Sequence, residues 1–321
     1  MSQMFEALLK ENTEENTGRL RNMKVTKEKK TAVLASFGLL LTAFIWGFAF
    51  VVVKNSLDYI PAVYMLAFRF TIAGAALSII FWKKFKKMNK KHVMHGAVLG
   101  FFLFTAYLFQ TIGCNYTTAG KNAFLTAIYV ILVPFFHWLL NKKRPDMYCM
   151  AAAALAVIGI GLISLRGDLS VNIGDVLTLI CGIFYALQII FIDRYTEQED
   201  PVIFAVLQVI FAAVFSCITA PIIDGGFPQG AFRAEVIIGM LYLGLFSTML
   251  GFLLQTVCQK YTHPSTSALL MSTEAVFGAL CSAIFLHEIM SGRMIAGCAI
   301  MFAAIVLAEV KPGKKKEALK G

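Results

Sequence analysis

The chain has 321 residues, of which 58% are hydrophobic and only 15% charged, against roughly 45–50% and about 25% in ordinary soluble domains. A single core stops growing at about 250–300 residues and cannot bury that much apolar surface, so lipid is the expected solvent. The net charge of +10 would suit nucleic acid, but its clusters are separated by long apolar runs, as in loops flanking membrane spans, which excludes a basic groove.

Residues 1–30 are polar, with seven Lys/Arg and five Glu, and lack the apolar core and cleavage site of a secretory signal. They read as a cytosolic tail, with a short amphipathic helix around residues 5–9 and Met23 as an alternative start. Ten apolar segments follow, each near the roughly 20 residues that a span requires. They cover 32–53, 61–82, 94–114, 119–140, 147–165, 174–193, 201–222, 235–258, 264–286 and 292–310. Pro61, Pro201 and Pro264 each open a span, where a missing N–H costs nothing. Asn172, Gly174 and Asp175 are turn and capping types and mark the start of the sixth. A basic tail at 311–321 closes the chain.

An even number of spans puts both termini on one side. With the termini inside, 23 of the 29 Lys/Arg lie inside, five lie outside and Arg69 falls within a span. This bias predicts cytoplasmic termini and a multi-pass protein of the plasma (inner) membrane. The seven Cys fall in or beside spans with no Cys-x-x-Cys pair, so neither a disulfide framework nor a metal site is expected. His92 and His95 sit beside the lysine run 83–91 with no carboxylate near them in sequence, which argues against zinc.

An internal repeat is visible directly. Residues 108–125 and 253–270 share seven identities in 18 positions at a constant offset of 145, including Gln110/Gln255, Thr111/Thr256, Tyr116/Tyr261 and Thr117/Thr262. The copies are five spans apart. Five is odd, so the second copy is inserted upside down, which is the signature of an inverted-repeat transporter. The expected fold is an all-α integral membrane protein of ten transmembrane helices in two inverted five-helix repeats, 31–168 and 173–310.

Trp46-Gly47-Phe48, Phe68-Arg69-Phe70, Tyr116-Thr117-Thr118-Ala119 and Tyr261-Thr262-His263-Pro264 are short motifs whose order and doubled layout resemble the drug/metabolite transporter superfamily, specifically its ten-span permeases with two EamA-type domains. Glu274 with Ala275-Val276-Phe277 is similar to the family's Glu-Pro-Val stretch, and His287-Glu288 to its Gly-Glu step. The resemblance covers about residues 32–310. It implies transport of small metabolites, often export of amino acids or related compounds. Two departures stand out. Ala275 replaces the common Pro, which predicts loss of the span 9 kink, and Lys143 occupies the repeat position of Glu288.

Ionisable groups deep in a span are costly and therefore candidates for function. Arg69 lies about 12 Å into span 2 at 1.5 Å per residue, and Glu274 lies near the middle of span 9. An Arg can hold a carboxylate through paired hydrogen bonds, and a buried Glu can exchange a proton. Together they would bind a zwitterion and allow proton coupling. The alternatives are that they pair with each other, or that Arg69 snorkels. Asn122, Thr126, Tyr129 and His137 share one face of span 4, and Tyr129 maps onto Glu274 at the repeat offset. That stripe either lines a cavity or makes interhelical hydrogen bonds, and the same two roles are open to Gln110 and Gln255. Trp46 and Phe50 share a face, and Tyr107, Tyr185, Tyr64 and Phe184 are further candidate aromatic lining for an apolar metabolite.

Small residues at Ala151 to Ala154, Gly297, Ala303 and Ala304 allow close helix packing or a homodimer face. No P-loop is present, and no cofactor, metal or nucleic acid is expected; the partners are a small-molecule metabolite and membrane lipid. The predicted function is secondary active export of a small organic metabolite by alternating access, without enzyme activity. The alternatives are an importer, a nucleotide-sugar-type exchanger, or a non-transporting membrane sensor or assembly protein.

Overall fold

The computed structural model describes residues 30–142, 147–164, 172–262 and 264–310. The two terminal tails, Met23, Lys143, Arg144, Arg166 and His263 lie outside the described residues. Every regular element among the described residues is helical. In chain order these are α1 (Lys30–Ser56), α2 (Ala62–Ile80), a 3₁₀ turn (Trp82–Lys87), α3 (Lys90–Tyr116), α4 (Ala119–Thr126), α5 (Tyr129–Asn141) and α6 (Met147–Ser164). Then come α7 (Ile173–Thr196), α8 (Pro201–Ile223), α9 (Ala234–Leu241), a π-helical stretch (Tyr242–Leu250), α10 (Gly251–Gln259), α11 (Pro264–Ser272), α12 (Glu274–Phe285) and α13 (Gly292–Val310).

Eight helical stretches are long and apolar enough to cross a membrane: Lys30–Ser56, Ala62–Ile80, Lys90–Tyr116, Ala119–Leu140, Ile173–Thr196, Pro201–Ile223, Ala234–Gln259 and Thr266–Phe285. The other two expected spans correspond to shorter apolar helices, Met150–Ile163 and Gly292–Leu307. Only about half of each long window is buried inside the bundle. The outer surface still carries Leu34, Ile79, Leu139 and Ile222, all well exposed. A bundle that is apolar outside as well as inside is solvated by lipid rather than water.

The helix ends follow from local chemistry. The Asn89 side chain accepts from His92 N–H at 2.9 Å while His92 Nδ1 accepts from Asn89 N–H at 3.2 Å, a reciprocal cap on α3. Asn172 caps α7 by accepting from Gly174 N–H at 2.7 Å, as its residue type predicted. Asp200 caps α8 through Val202 N–H at 3.0 Å. Pro61 precedes α2 and gives it no side-chain cap; Asp224 from the far end of α8 supplies one, accepting from Val63 and Tyr64 N–H at 2.7 and 3.0 Å.

α3 packs on α7 and α8, α2 on α8 and the π-helical stretch, α4 on α12, α5 on α7 and α11, and α6 on α13. The small residues of α6 and α13 serve that last contact: a Cβ on Gly297 would come within 2.8 Å of Gly159 O. The main core gathers Leu66, Phe70, Leu103, Phe124, Phe252 and Met271 around the centre of the bundle.

Spans 4 and 9 are both broken mid-way. α4 ends at Thr126 and α5 starts at Tyr129; α11 ends at Ser272 and α12 starts at Glu274. Span 9 is thus interrupted at Thr273, one residue before Glu274, although Ala275 stands where the resemblance implies proline. Here hydroxyls do the work of proline: Ser272 Oγ donates to Leu269 O and Thr273 Oγ1 to Leu270 O, both at 2.7 Å, relieving carbonyls at the break.

Candidate functional site

The two breaks face each other across a narrow central cavity. Its wall comes from α1 (Trp46, Ala49, Phe50, Val53), α2 (Arg69), α3 (Tyr107, Gln110, Thr111, Cys114), the α4–α5 span (Asn122, Tyr129), α7 (Tyr185, Gln188, Ile189), the π-helical stretch with α10 (Ser247, Gln255) and the α11–α12 span (Met271, Glu274). The free space for the centres of water-sized molecules is about 40 Å³. At about 10–15 Å³ per water this holds roughly three waters. The helices are thus drawn close around the polar centre.

Arg69 is 1% exposed, so it does not snorkel. Its Nε donates to Thr248 Oγ1 and an Nη to Ser247 Oγ, each at 2.9 Å, and its guanidinium lies 4.5 Å from the Tyr107 ring centroid. The π-helical backbone presents two consecutive hydroxyls to one guanidinium. Tyr129 Oη donates to Glu274 Oε1 at 3.2 Å. Arg69 and Glu274 form no ion pair with each other, so the paired alternative is also set aside. A buried cation and a buried carboxyl line one cavity, and each is held by neutral hydroxyls. Burying charge in this way is expensive unless a partner of opposite sign arrives.

Amides and aromatics complete the wall. Gln110 Nε2 donates to Thr126 Oγ1, and Gln110 Oε1 accepts from Tyr185 Oη, both at 3.0 Å. Gln188 Nε2 donates to Gln208 Oε1 at 2.9 Å, and Gln208 Nε2 donates to Thr256 Oγ1 at 2.9 Å. Gln188 and Gln255 lie side by side, their closer amide contact being 3.3 Å. Both of the roles left open for Gln110 and Gln255 are therefore filled at once: they line the cavity and tie helices together. Asn122 Nδ2 donates to Gln110 O and Thr178 Oγ1, while Asn122 Oδ1 is buried without a hydrogen-bond partner. Tyr107 meets Tyr185 edge-to-face at 5.6 Å, and Trp46 lies 5.1 Å from Phe252.

Nine of the ten sequence-derived site residues meet here: Glu274, Arg69, Tyr129, Asn122, Gln110, Gln255, Trp46, Tyr107 and Tyr185. Thr126 does not; it sits behind Gln110, which it orients, and its own hydroxyl faces Cys181. Tyr64 lies in a separate apolar groove with Phe68, Phe227 and Phe232, and Phe184 stacks on Phe109. Gln188, Gln208, Ser247 and Thr248 were missed. An isolated amide within spans 6 and 7 was the available signal for the first two.

The bundle ends differ. At the lysine-rich end, Lys84 pairs with Asp200, His92 Nε2 lies 3.0 Å from Glu199 Oε2, and Lys260 Nζ donates to Glu199 O at 2.8 Å. His92 therefore has a carboxylate beside it in space although none is near it in sequence, because the α7–α8 turn folds against the start of α3. At the opposite end, Lys54 Nζ donates to Cys114 O and Thr117 O at 2.7 and 2.9 Å, and buried Asp175 accepts from Thr117 Oγ1 at 2.6 Å.

The chain is similar along most of its length to known transporters. The model of the EamA-like transporter family matches residues 33–165 and 172–309. An uncharacterized transporter of Archaeoglobus fulgidus is 32% identical over 277 residues, covering 86% of each chain. The uncharacterized transporter YvbV of Bacillus subtilis is 26% identical, covering 93% of this chain and 98% of its own. A probable amino-acid metabolite efflux pump of Salmonella typhimurium is 25% identical, covering 84% and 93%. A solved structure described only as "Crystal structure of protein" shares the fold with a TM-score of 0.63 at 16% identity, covering 87% of this chain and 98% of its own. With both halves of the chain matched, the protein belongs to the EamA-like transporter family.

Proposed function

We propose that this protein is a secondary active exporter of a small organic metabolite carrying a carboxylate, an amino acid or a related compound, and that it works by alternating access. The observation that carries the reading is the central cavity, where Arg69 and Glu274 stand uncompensated among aromatic rings. Arg69 would take the substrate carboxylate through its guanidinium edge. Glu274, released from Tyr129, would take an ammonium group or a proton. The Salmonella relative's name, an efflux pump for amino-acid metabolites, agrees with this substrate class.

The proposed architecture is ten spans in two inverted halves, 31–168 and 173–310, in the plasma membrane with cytoplasmic termini. Its support is that Tyr129 and Glu274, residues 145 apart at equivalent repeat positions, are bonded to each other. A residue in contact with its own repeat mate lies close to the axis relating the halves. Near-equivalent halves give inward-open and outward-open states of similar energy, and the binding site falls at their interface.

The test compares metabolites in the medium of cells producing the wild type or Glu274→Gln, matched for protein in the membrane. The expected result is one compound class accumulating outside with the wild type and at least about tenfold less with the variant, a loss of about 1.4 kcal/mol of differential interaction. Equal export would remove Glu274 from the site. An unchanged medium with both proteins would overturn export.

A further inference from the structure

The end of the bundle opposite the lysines carries a cluster that the substrate site does not use. After α12, His287 adopts a left-handed conformation, φ 51°, which turns the chain back on itself. Glu288 then reaches the start of α4. Its two carboxylate oxygens accept from Ala119 N–H at 2.8 Å and Gly120 N–H at 3.0 Å, and Ser282 Oγ donates to the same carboxylate. The first amides of a helix have no partner within it, and the helix dipole favours an anion there.

Beneath this carboxylate lies an apolar plug. Phe50, Ala119 and Ala123 are buried together with Leu286 against them. The fit is close: a Cβ on Gly278 would come within 2.6 Å of Ala123 Cβ. Phe50 also belongs to the cavity wall, as do Cys114 and Asn122 near the same end. The layers are thus cavity, plug and carboxylate. The neighbouring ties leave the plug uncrossed, since Lys54 joins α1 to the end of α3 and Asp175 joins α7 to Thr117 and Lys121. Glu288 alone among these groups binds α4 to the α12–α13 turn across the plug.

We propose that Glu288 is the latch of a gate at this end. When its carboxylate leaves the Ala119 and Gly120 amides, α4 separates from the α12–α13 turn and the cavity opens past Phe50. The inference rests on the transport reading, in which the cavity opens to each side in turn. In sequence, the position equivalent to Glu288 in the first half holds Lys143, a cation that a helix N-terminus repels, so it offers no matching carboxylate.

Cys114 is a built-in reporter, 1% exposed and on the cavity wall. The experiment uses the full chain in nanodiscs, its other cysteines changed to Ala, and a charged methanethiosulfonate reagent that reaches only wetted thiols. Glu288→Gln keeps one acceptor and loses the charge, and Cys114 is expected to react about tenfold faster, the worth of one charge-assisted bond; Glu288→Ala is expected to react faster still. A second construction guards against simple loosening. A Cβ on Gly120 would lie 3.2 Å from Ser282 Oγ, so Gly120→Cys with Ser282→Cys can form a disulfide across the gate. With the bridge formed in the Glu288→Gln background, labelling of Cys114, read by mass spectrometry on its own peptide apart from positions 120 and 282, is expected to fall to the wild-type rate, and reduction before labelling to restore it. Wild-type labelling rates in folded Glu288→Gln and Glu288→Ala would overturn the latch. So would fast labelling that the bridge leaves unchanged. Neither outcome involves a substrate, so failure here is separate from failure of the export test.

Discussion

Gly47 gives the sharpest test of how the cavity wall is packed. A Cβ at this position would lie 2.4 Å from Phe277 Cβ, 2.9 Å from Gly278 N and 3.0 Å from Phe277 C. Ordinary contact begins near 3.4 Å, so Gly47→Ala must push α1 and α12 apart by about 1 Å. The obstacles are backbone atoms and a Cβ, so no side chain can rotate away. Overpacking costs about 1–3 kcal/mol, and the rigid obstacle places this case in the upper part of that range. Replacing a mid-helix Gly by Ala returns about 1 kcal/mol of helix propensity. The net is about 1–2 kcal/mol of destabilisation, or roughly 2–8 °C at about 2–4 °C per kcal/mol for a large domain. The assay is thermal unfolding of the purified protein in detergent. Gly292→Ala is the comparator, since a Cβ there meets nothing within 4 Å. If Gly47→Ala melts with Gly292→Ala and the wild type, the close approach of α1 and α12 is wrong, and with it the narrow cavity.

Two more expectations concern charge. Arg69→Lys replaces a fork that reaches Thr248 and Ser247 while lying on Tyr107 by a single ammonium; export should fall at least about tenfold at unchanged membrane abundance. Wild-type export from that variant would remove the guanidinium from substrate binding. At the lysine-rich end, burial pushes the Asp200 carboxyl up, but the Lys84 hydrogen bond, the Val202 N–H and the Lys260 charge outweigh it and hold the group below its ordinary value. A lowered value stabilises the fold above the ordinary Asp range of about 4 and loses that contribution as pH falls toward the depressed value. Asp200→Asn should therefore flatten the fall in melting temperature below about pH 4, and an unchanged slope would refute the coupling.

Much of this arrangement is legible in the chain, and the residues show where legibility stops. Apolar length located the helices, because a lipid-facing helix has to be apolar on every side. Asn172 and Pro201 marked helix starts through chemistry local to one turn. The repeat offset put Tyr129 and Glu274 at equivalent positions, and the structure shows the two in contact. Thr126 was misplaced because spacing assigns a face but not the distance to its neighbours, and Gln110 stands between it and the cavity. The proline missing at Ala275 pointed to an uninterrupted span 9, whereas the helix is interrupted at Thr273, where the Ser272 and Thr273 hydroxyls bond to carbonyls of the preceding turn. Glu199 beside His92, and Glu288 on the α4 amides, are separated from their partners by more than a hundred residues. No periodicity within one helix reports such contacts.

The π-helical stretch at Tyr242–Leu250 acts as a phase shifter. Winding the same residues as an ordinary α-helix would rotate everything beyond by about 100°. Ser247 and Thr248 would no longer both face Arg69, or Gln255 and Thr256 would turn away from Gln188 and Gln208. The helix therefore counts in two rhythms to serve two partners.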